Sequence, residues 1–251
     1  MRWLFAPILL VAACASAKVQ GGNNEIDANN NGDDAPPPVD MAPPIDNPPP
    51  IDAPPDAPPQ PIQSTLQEPT TTAVTAANSV NCNNFQSGGS GTTENHYFRV
   101  FTLADFGITK DFNVTQVTFA VEQASGAAQT ATVKVGTYSA VVNAGTTTLD
   151  PTKIANLNQV NTNIAIGATN IVTPITATIP AGATIIVEIA SPDGTGVSPQ
   201  RALFPGTNNS GQKKPSFVSA PACNINAITS YANLGFPQVQ LIMSVTGTHL
   251  P

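Results

Sequence analysis

"IPAGATIIVEIASPDG" occupies residues 179–194, and its reading decides the fold class. Two turn-forming clusters, Pro180-Ala181-Gly182 and Pro192-Asp193-Gly194, bracket a run from Thr184 to Ser191. That run is rich in β-branched side chains, and its alternation has a period of two. Ile185, Val187 and Ile189 point one way, and Thr184, Ile186 and Glu188 point the other. A segment this short, with punctuation at both ends, is a strand with one face in a core.

The same signature recurs on both sides. "YFRVFTL" (97–103), "VTQVTFAVEQ" (114–123), "ATVKVGTY" (131–138), "ITATIP" (175–180) and "VQLIMSVTG" (239–247) are further strands between Gly, Pro, Asn and Asp clusters. Val117, Phe119 and Val121 share a face, with Thr118 and Glu122 outside. Val239, Leu241, Met243 and Val245 do the same, with Gln240 and Ser244 outside. Only "PTKIANLNQ" (151–159) reads as a short helix. The expectation is an all-β domain over 73–251, a jelly-roll-like β-sandwich. The strands are too few, and too poor in aromatic girdles, for a transmembrane barrel.

The chain before this domain has a different composition. Arg2 precedes an apolar run from Trp3 to Val11, too short to cross a bilayer core of about 30 Å. A positive end, a short apolar run and small residues make an export signal, here residues 1–17. Residues 18–72 are rich in Pro, Asp and Asn and poor in large apolar side chains, the composition of a disordered stalk. "PPPVDMAPPIDNPPPIDAPPDAPP" (36–59) favours polyproline II at about 3.1 Å per residue, a reach of roughly 70 Å.

Charge separates the two parts. Residues 18–72 hold nine acids against Lys18 alone, whereas residues 73–251 balance seven acids with seven bases. The net charge of −7 therefore belongs to the stalk. A neutral domain gives no electrostatic case for nucleic acid. The cysteines are Cys14, Cys82 and Cys223. The last two fall in the domain, where an oxidising compartment allows a disulfide between them. Two separate buried thiols are the alternative.

Candidate chemistry is sparse. "DANNNGDD" begins Asp27-x-Asn29-x-Asn31-Gly32, the first half of an EF-hand-like calcium loop, but Pro38 stands where the bidentate Glu belongs. Asp105, Asp111 and Asp193 are weak calcium candidates in turns, and no other metal or cofactor is implied. His96 opens a strand and reads as solvated or hydrogen-bonded, while His249 reads as part of a frayed tail. No G-x-S-x-G or H-E-x-x-H motif occurs. Lys213-Lys214 reads as an exposed loop pair. "ADFGITKD" (104–111) has the DFG triplet without kinase context and reads as a turn, with Phe106 against the core. Tyr97, Tyr138 and Tyr231 remain as aromatic platforms, too few for a flat crystalline-polysaccharide face. Phe98, Phe101, Phe119 and Phe236 read as core.

Two resemblances add to this reading. Val11-Ala12-Ala13-Cys14 resembles a bacterial lipobox, which implies cleavage before Cys14 and acylation of its thiol. Ala15-Ser16-Ala17 is a rival A-x-A site that would release a chain starting at Lys18. The lipobox and the acidic stalk together resemble surface lipoproteins of Gram-negative bacteria. Ala15 after the cysteine favours the outer membrane. Residues 96–124, 179–194, 204–223 and 234–247 are similar to successive blocks of a β-sandwich module of secreted bacterial multidomain proteins, which has no established activity.

The expectation is a non-catalytic surface lipoprotein, held to a membrane by its lipid, whose sandwich binds protein or glycan. A secreted hydrolase or enzyme accessory of the same fold is the first alternative. It requires two acids, or an acid and His96, within reach in a concave pocket. A structural envelope spacer is the second.

Overall fold

The computed structural model describes residues 58–251. The lipobox, Cys14, Asp27, Asn29, Asn31 and the stalk up to residue 57 lie outside the described residues. In chain order the strands are β1 (Ile62–Gln67), β2 (Asn95–Thr102), β3 (Phe112–Ser125), β4 (Gln129–Tyr138) and β5 (Thr148–Leu149). Then come β6 (Ile154–Ile164), β7 (Asn170–Ile179), β8 (Thr184–Ser191), β9 (Ala202–Pro205) and β10 (Thr207–Asn208). The last are β11 (Phe217–Ala220), β12 (Ile225–Ser230), β13 (Gln240–Leu241) and β14 (Met243–His249).

The strands form two facing antiparallel sheets. One runs β1-β14-β3-β7, with β9 on the far end of β3. The other runs β5-β12-β11-β2-β8-β4-β6, and β10 and β13 form a short separate pair. The chain crosses repeatedly between sheets, from β2 to β3 to β4 and from β6 to β7 to β8. This is the all-β, jelly-roll-like sandwich expected from the alternating strands. Side chains at every second position meet in a shared core: Tyr97 and Phe101 of β2, Val133 and Val135 of β4, and Ile185, Val187 and Ile189 of β8. They face Val117 and Phe119 of β3, Ile175 of β7 and Met243 and Val245 of β14.

A second apolar cluster lies on the outer side of the large sheet. Phe98, Val100, Ile186 and Phe217 would be exposed there, but Val142 and Leu149 pack onto them. These two come from residues 139–153, which leave β4, cross the sheet and form β5 against β12. The Tyr138 hydroxyl accepts the Asp150 N–H at 3.0 Å and ties the strap at its base.

Three expectations are corrected. Residues 62–67, assigned to the stalk, are strand β1, pairing with β14 from Ile62↔His249 to Gln67↔Ser244. Leu66 is fully buried there, so one apolar anchor and a ladder outweigh the neighbouring prolines. Residues 151–159 are not a helix. The Asp150 carboxylate accepts the Thr152 N–H, a 3-10 turn spans Pro151–Lys153, and β6 follows. Asn-rich, β-branched sequence favours the strand once β4 offers a partner. His249 is not frayed: it closes the β1–β14 ladder, and its Nε2 lies 3.0 Å from Ser64 Oγ.

Cys82 and Cys223 form a disulfide, with a Cα–Cα distance of 5.8 Å and a sequence separation of 141. It joins the segment before β2 to the turn after β11.

Candidate functional site

The predicted acids fall at opposite ends of β8. Asp193 sits just past its C-terminal end, where its carboxylate accepts the Thr195 N–H at 2.8 Å and the Thr195 hydroxyl at 2.7 Å. Asp111 accepts the Ala181 N–H at 2.9 Å near the other end. Asp105 pairs with Lys214. Among the described residues no three His, Cys, Asp or Glu side chains are grouped to hold a metal ion. Asp105, Asp111 and Asp193 thus each have a separate partner, an ion pair for the first and backbone amides for the other two.

Lys214 corrects the reading of an exposed basic pair. It is 8% exposed, and its ammonium meets the Asp105 carboxylate. Burial lowers its pKa, with Glu68 opposing. Glu68 Oε2 accepts the backbone N–H groups of Lys213 and Lys214 at 3.1 and 3.3 Å, which pulls the loop onto the sandwich. The Asp105–Lys214 pair borders a cleft of about 610 Å³ between the strap and the 180–184 turn.

Arg99 was not singled out, yet it is a buried cation at the centre of β2. Its position between Tyr97 and Phe101 turns it into the core. Nη1 donates to Gln212 Oε1 and, at 2.5 Å, to Ser216 Oγ. Nε and Nη2 have no partner among the described residues, nor has Glu68 Oε1. Burial lowers the Arg99 pKa to about 10, with Glu68 pulling the other way. The alternation in "YFRVFTL" was the available signal, since the face that takes Tyr97 and Phe101 must also take Arg99.

His96 with an acid is one of the two arrangements named for the hydrolase alternative. Its Nδ1 lies 2.7 Å from Glu188 Oε1 and its Nε2 lies 2.9 Å from Glu94 Oε1. Lys134 Nζ lies 3.0 Å from the same Glu188 oxygen. The cross-strand register explains the meeting: Glu188 pairs with Phe98 on one side and Lys134 on the other. An acid is thus within reach of His96. A carboxylate at each ring nitrogen favours the doubly protonated imidazolium, in which both nitrogens donate. The Glu188 bond raises the His96 pKa, burial opposes it, and Glu94 adds to the rise. For Glu188, burial opposes ionisation, but the bonds from His96 and Lys134 win and lower its pKa. The neighbouring dent holds only about 20 Å³. The result is a charge-neutralising cluster at the rim of the second apolar patch that links the three neighbouring strands β2, β8 and β4.

The aromatic platforms are corrected too. Tyr97, Tyr138 and Tyr231 are all buried, while Phe236 is 36% exposed where core was expected.

The outer face of the small sheet has a different chemistry. Three cross-strand rows run over β1, β14, β3 and β7. They are Gln67–Ser244–Thr118–Val172, Thr65–Thr246–Gln116–Pro174 and Gln63–Thr248–Asn113–Thr178. No side chain in these rows is charged. Neighbouring hydroxyls bond one another, as Thr65 and Thr246 do at 2.9 Å. Two depressions open on the face. One, of about 430 Å³, has a mixed lining, with Gln67, Thr118 and Asn170 beside Val74, Phe119 and Met243. The second, of about 440 Å³, lies at the bulge beside Asn113, Thr115, Thr176 and Thr178. The second is shallow and wide open to solvent. The alternation marked Thr118 and Ser244 as outward, but the rows exist only through pairings between strands distant in sequence, Thr118 with Val172 and Gln67 with Ser244 among them.

No protein-family model matches the chain. No curated protein matches it. Among solved structures, similarity is found to the crystal structure of the cysteine protease and lectin-like domains of Cwp84, a surface layer associated protein of Clostridium difficile. The identity is 12% and the TM-score 0.43, over 64% of this chain and 33% of that one. The chain thus spans about a third of that protein's length.

Proposed function

We propose that this protein is a non-catalytic surface lipoprotein whose sandwich binds a neutral, hydroxyl-rich ligand of the glycan class. The rows of uncharged polar side chains on the small sheet, with their two depressions, carry this reading. Carboxamides and hydroxyls both donate and accept hydrogen bonds, as sugar hydroxyls do. The three rows hold no ionised side chain to strip of water when a neutral ligand lands. Val172 and Pro174 supply apolar contact beside the polar rows.

The test is a glycan array probed with the full chain, with and without calcium. Binding to neutral glycans that falls at least tenfold in Thr118→Lys and Gln116→Lys, but not in Thr130→Lys on the other sheet, is the expected result. Binding confined to charged glycans, or unaffected by the first two changes, refutes it. An array with no binding at all favours the spacer.

Attachment is the second half of the proposal. Val11-Ala12-Ala13-Cys14 supplies the thiol, and the acidic, proline-rich residues 18–57 supply reach between an acylated end and the sandwich. Outer-membrane placement follows from Ala15 after the cysteine. Metabolic labelling with a palmitate analogue should mark the wild type and not Cys14→Ser. An unlabelled wild type means cleavage after Ala17 and a secreted protein.

A further inference from the structure

Each sheet of an open sandwich ends in strands whose outward N–H and C=O groups have no ladder partner, and proteins ordinarily blunt these edges. Three of the four edges here are blunted. β5 is two residues long, β7 has Pro174 at its centre, and β1 is six residues bounded by Pro61 and Pro69. β6 is the exception. It runs for eleven residues, "IANLNQVNTNI", with neither proline nor charge, and among the described residues it pairs only with β4. None of its outward backbone groups bonds another backbone group among the described residues.

We propose that β6 pairs antiparallel with β6 of a second copy, joining two large sheets into one continuous sheet across a two-fold axis. The choice of occupant rests on self-complementarity. A two-fold sets the strand against itself, so any charge on it would meet a like charge nearby. The ladder positions on the outer side are Gln159, Asn161 and Asn163, opposite Lys134, Thr132 and Thr130 of β4. Carboxamides donate and accept equally, so the row satisfies its own copy in any antiparallel register that keeps the faces aligned. On the inner side, Asn158 Nδ2 donates to the Thr176 carbonyl of β7 at 2.8 Å, and Thr162 Oγ1 lies 2.8 Å from Thr173 Oγ1. These bonds tie the edge strand to β7 of the small sheet. A bulge sits only at its N-terminal part, opposite Val135 and Gly136, and leaves 158–164 regular.

The test is sedimentation equilibrium of the full chain carrying Cys14→Ser, so that neither a lipid nor a free thiol drives association. A dimer mass is expected for that protein. Asn161→Lys and Asn161→Glu, each folded by circular dichroism, should raise the dimer dissociation constant at least tenfold. Mixing the two variants should restore the dimer, because opposite charges then meet across the edge. A monomer at about 200 μM, or a dimer that neither variant weakens, overturns the proposal. Failure here leaves the glycan face untouched, since β6 contributes nothing to it.

Discussion

The Cys82–Cys223 disulfide closes a loop with a sequence separation of 141, and its removal gives a sharp test of what stabilises the sandwich. The perturbation is the double variant Cys82→Ser/Cys223→Ser. In the chain-entropy model a loop of this length removes about 17 cal/mol/K from the unfolded chain, or about 5 kcal/mol at 25 °C. For a domain of this size each kcal/mol moves the midpoint by about 2–4 °C, so Tm should fall by roughly 10–20 °C. Differential scanning calorimetry measures this, and reduced wild type should melt close to the variant. Urea unfolding adds a second readout. An unfolded chain freed of the cross-link is more expanded, so m should rise in the variant. A fall of less than about 5 °C, or a large fall with m unchanged, would refute the loop-closure account and place the effect in native contacts around Cys82.

Other perturbations probe single features. Gly126 turns between β3 and β4 at φ +88°, where an added Cβ would strike the Gln200 carbonyl, while Gly107 at φ +72° has open space. Gly126→Ala should therefore cost clearly more than the roughly 1–2 kcal/mol expected of Gly107→Ala by chemical denaturation. Glu68→Ala removes the acceptor of two backbone N–H groups and the carboxylate facing Arg99, and should cost about 3 kcal/mol; adding Arg99→Met should recover part of it. Additive losses in that cycle would show that the two do not interact. The His96 pKa is raised, so its contribution is full below about pH 6.5, the unfolded value, and is lost as pH rises through the folded value. The stability gap between wild type and His96→Gln should shrink from pH 5.5 to 8.5, and a gap that widens contradicts the cluster geometry.

Local alternation made much of this fold legible. The Thr184–Ser191 strand has the bounds its turns implied, and the inward sets on β3, β8 and β14 are those of the core. What local pattern missed was decided by distant partners. β1 has few apolar residues and exists because β14 offers a ladder. Ile154–Ile164 is a strand because β4 takes it from Gln129 to Tyr138. The candidate site divides in the same way. Thr118 and Ser244 were readable as outward positions, but their row with Gln67 and Val172 needed the sheet order. His96 and Glu188 meet across a separation of 92 residues, which no motif records. Lys214 looked free because polar loops usually are, and only the fold of residues 103–106 brings Asp105 to it.

The pairing of Ile62 with His249 has a practical corollary for anyone building on this scaffold. The chain enters the sandwich and leaves it at one corner, two adjacent strands apart. A fluorescent reporter or affinity tag fused after Pro251 would hang from the same vertex at which residues 58–61 arrive. The long faces of both sheets would stay unobstructed. The same proximity invites a circularly permuted version, with a short bridge from Pro251 to Pro61 and new ends opened at the Gly211 turn. That rearrangement would place the new ends in another part of the domain, beside the loop where Gln212 accepts from Arg99 and Glu68 holds the Lys213 and Lys214 amides.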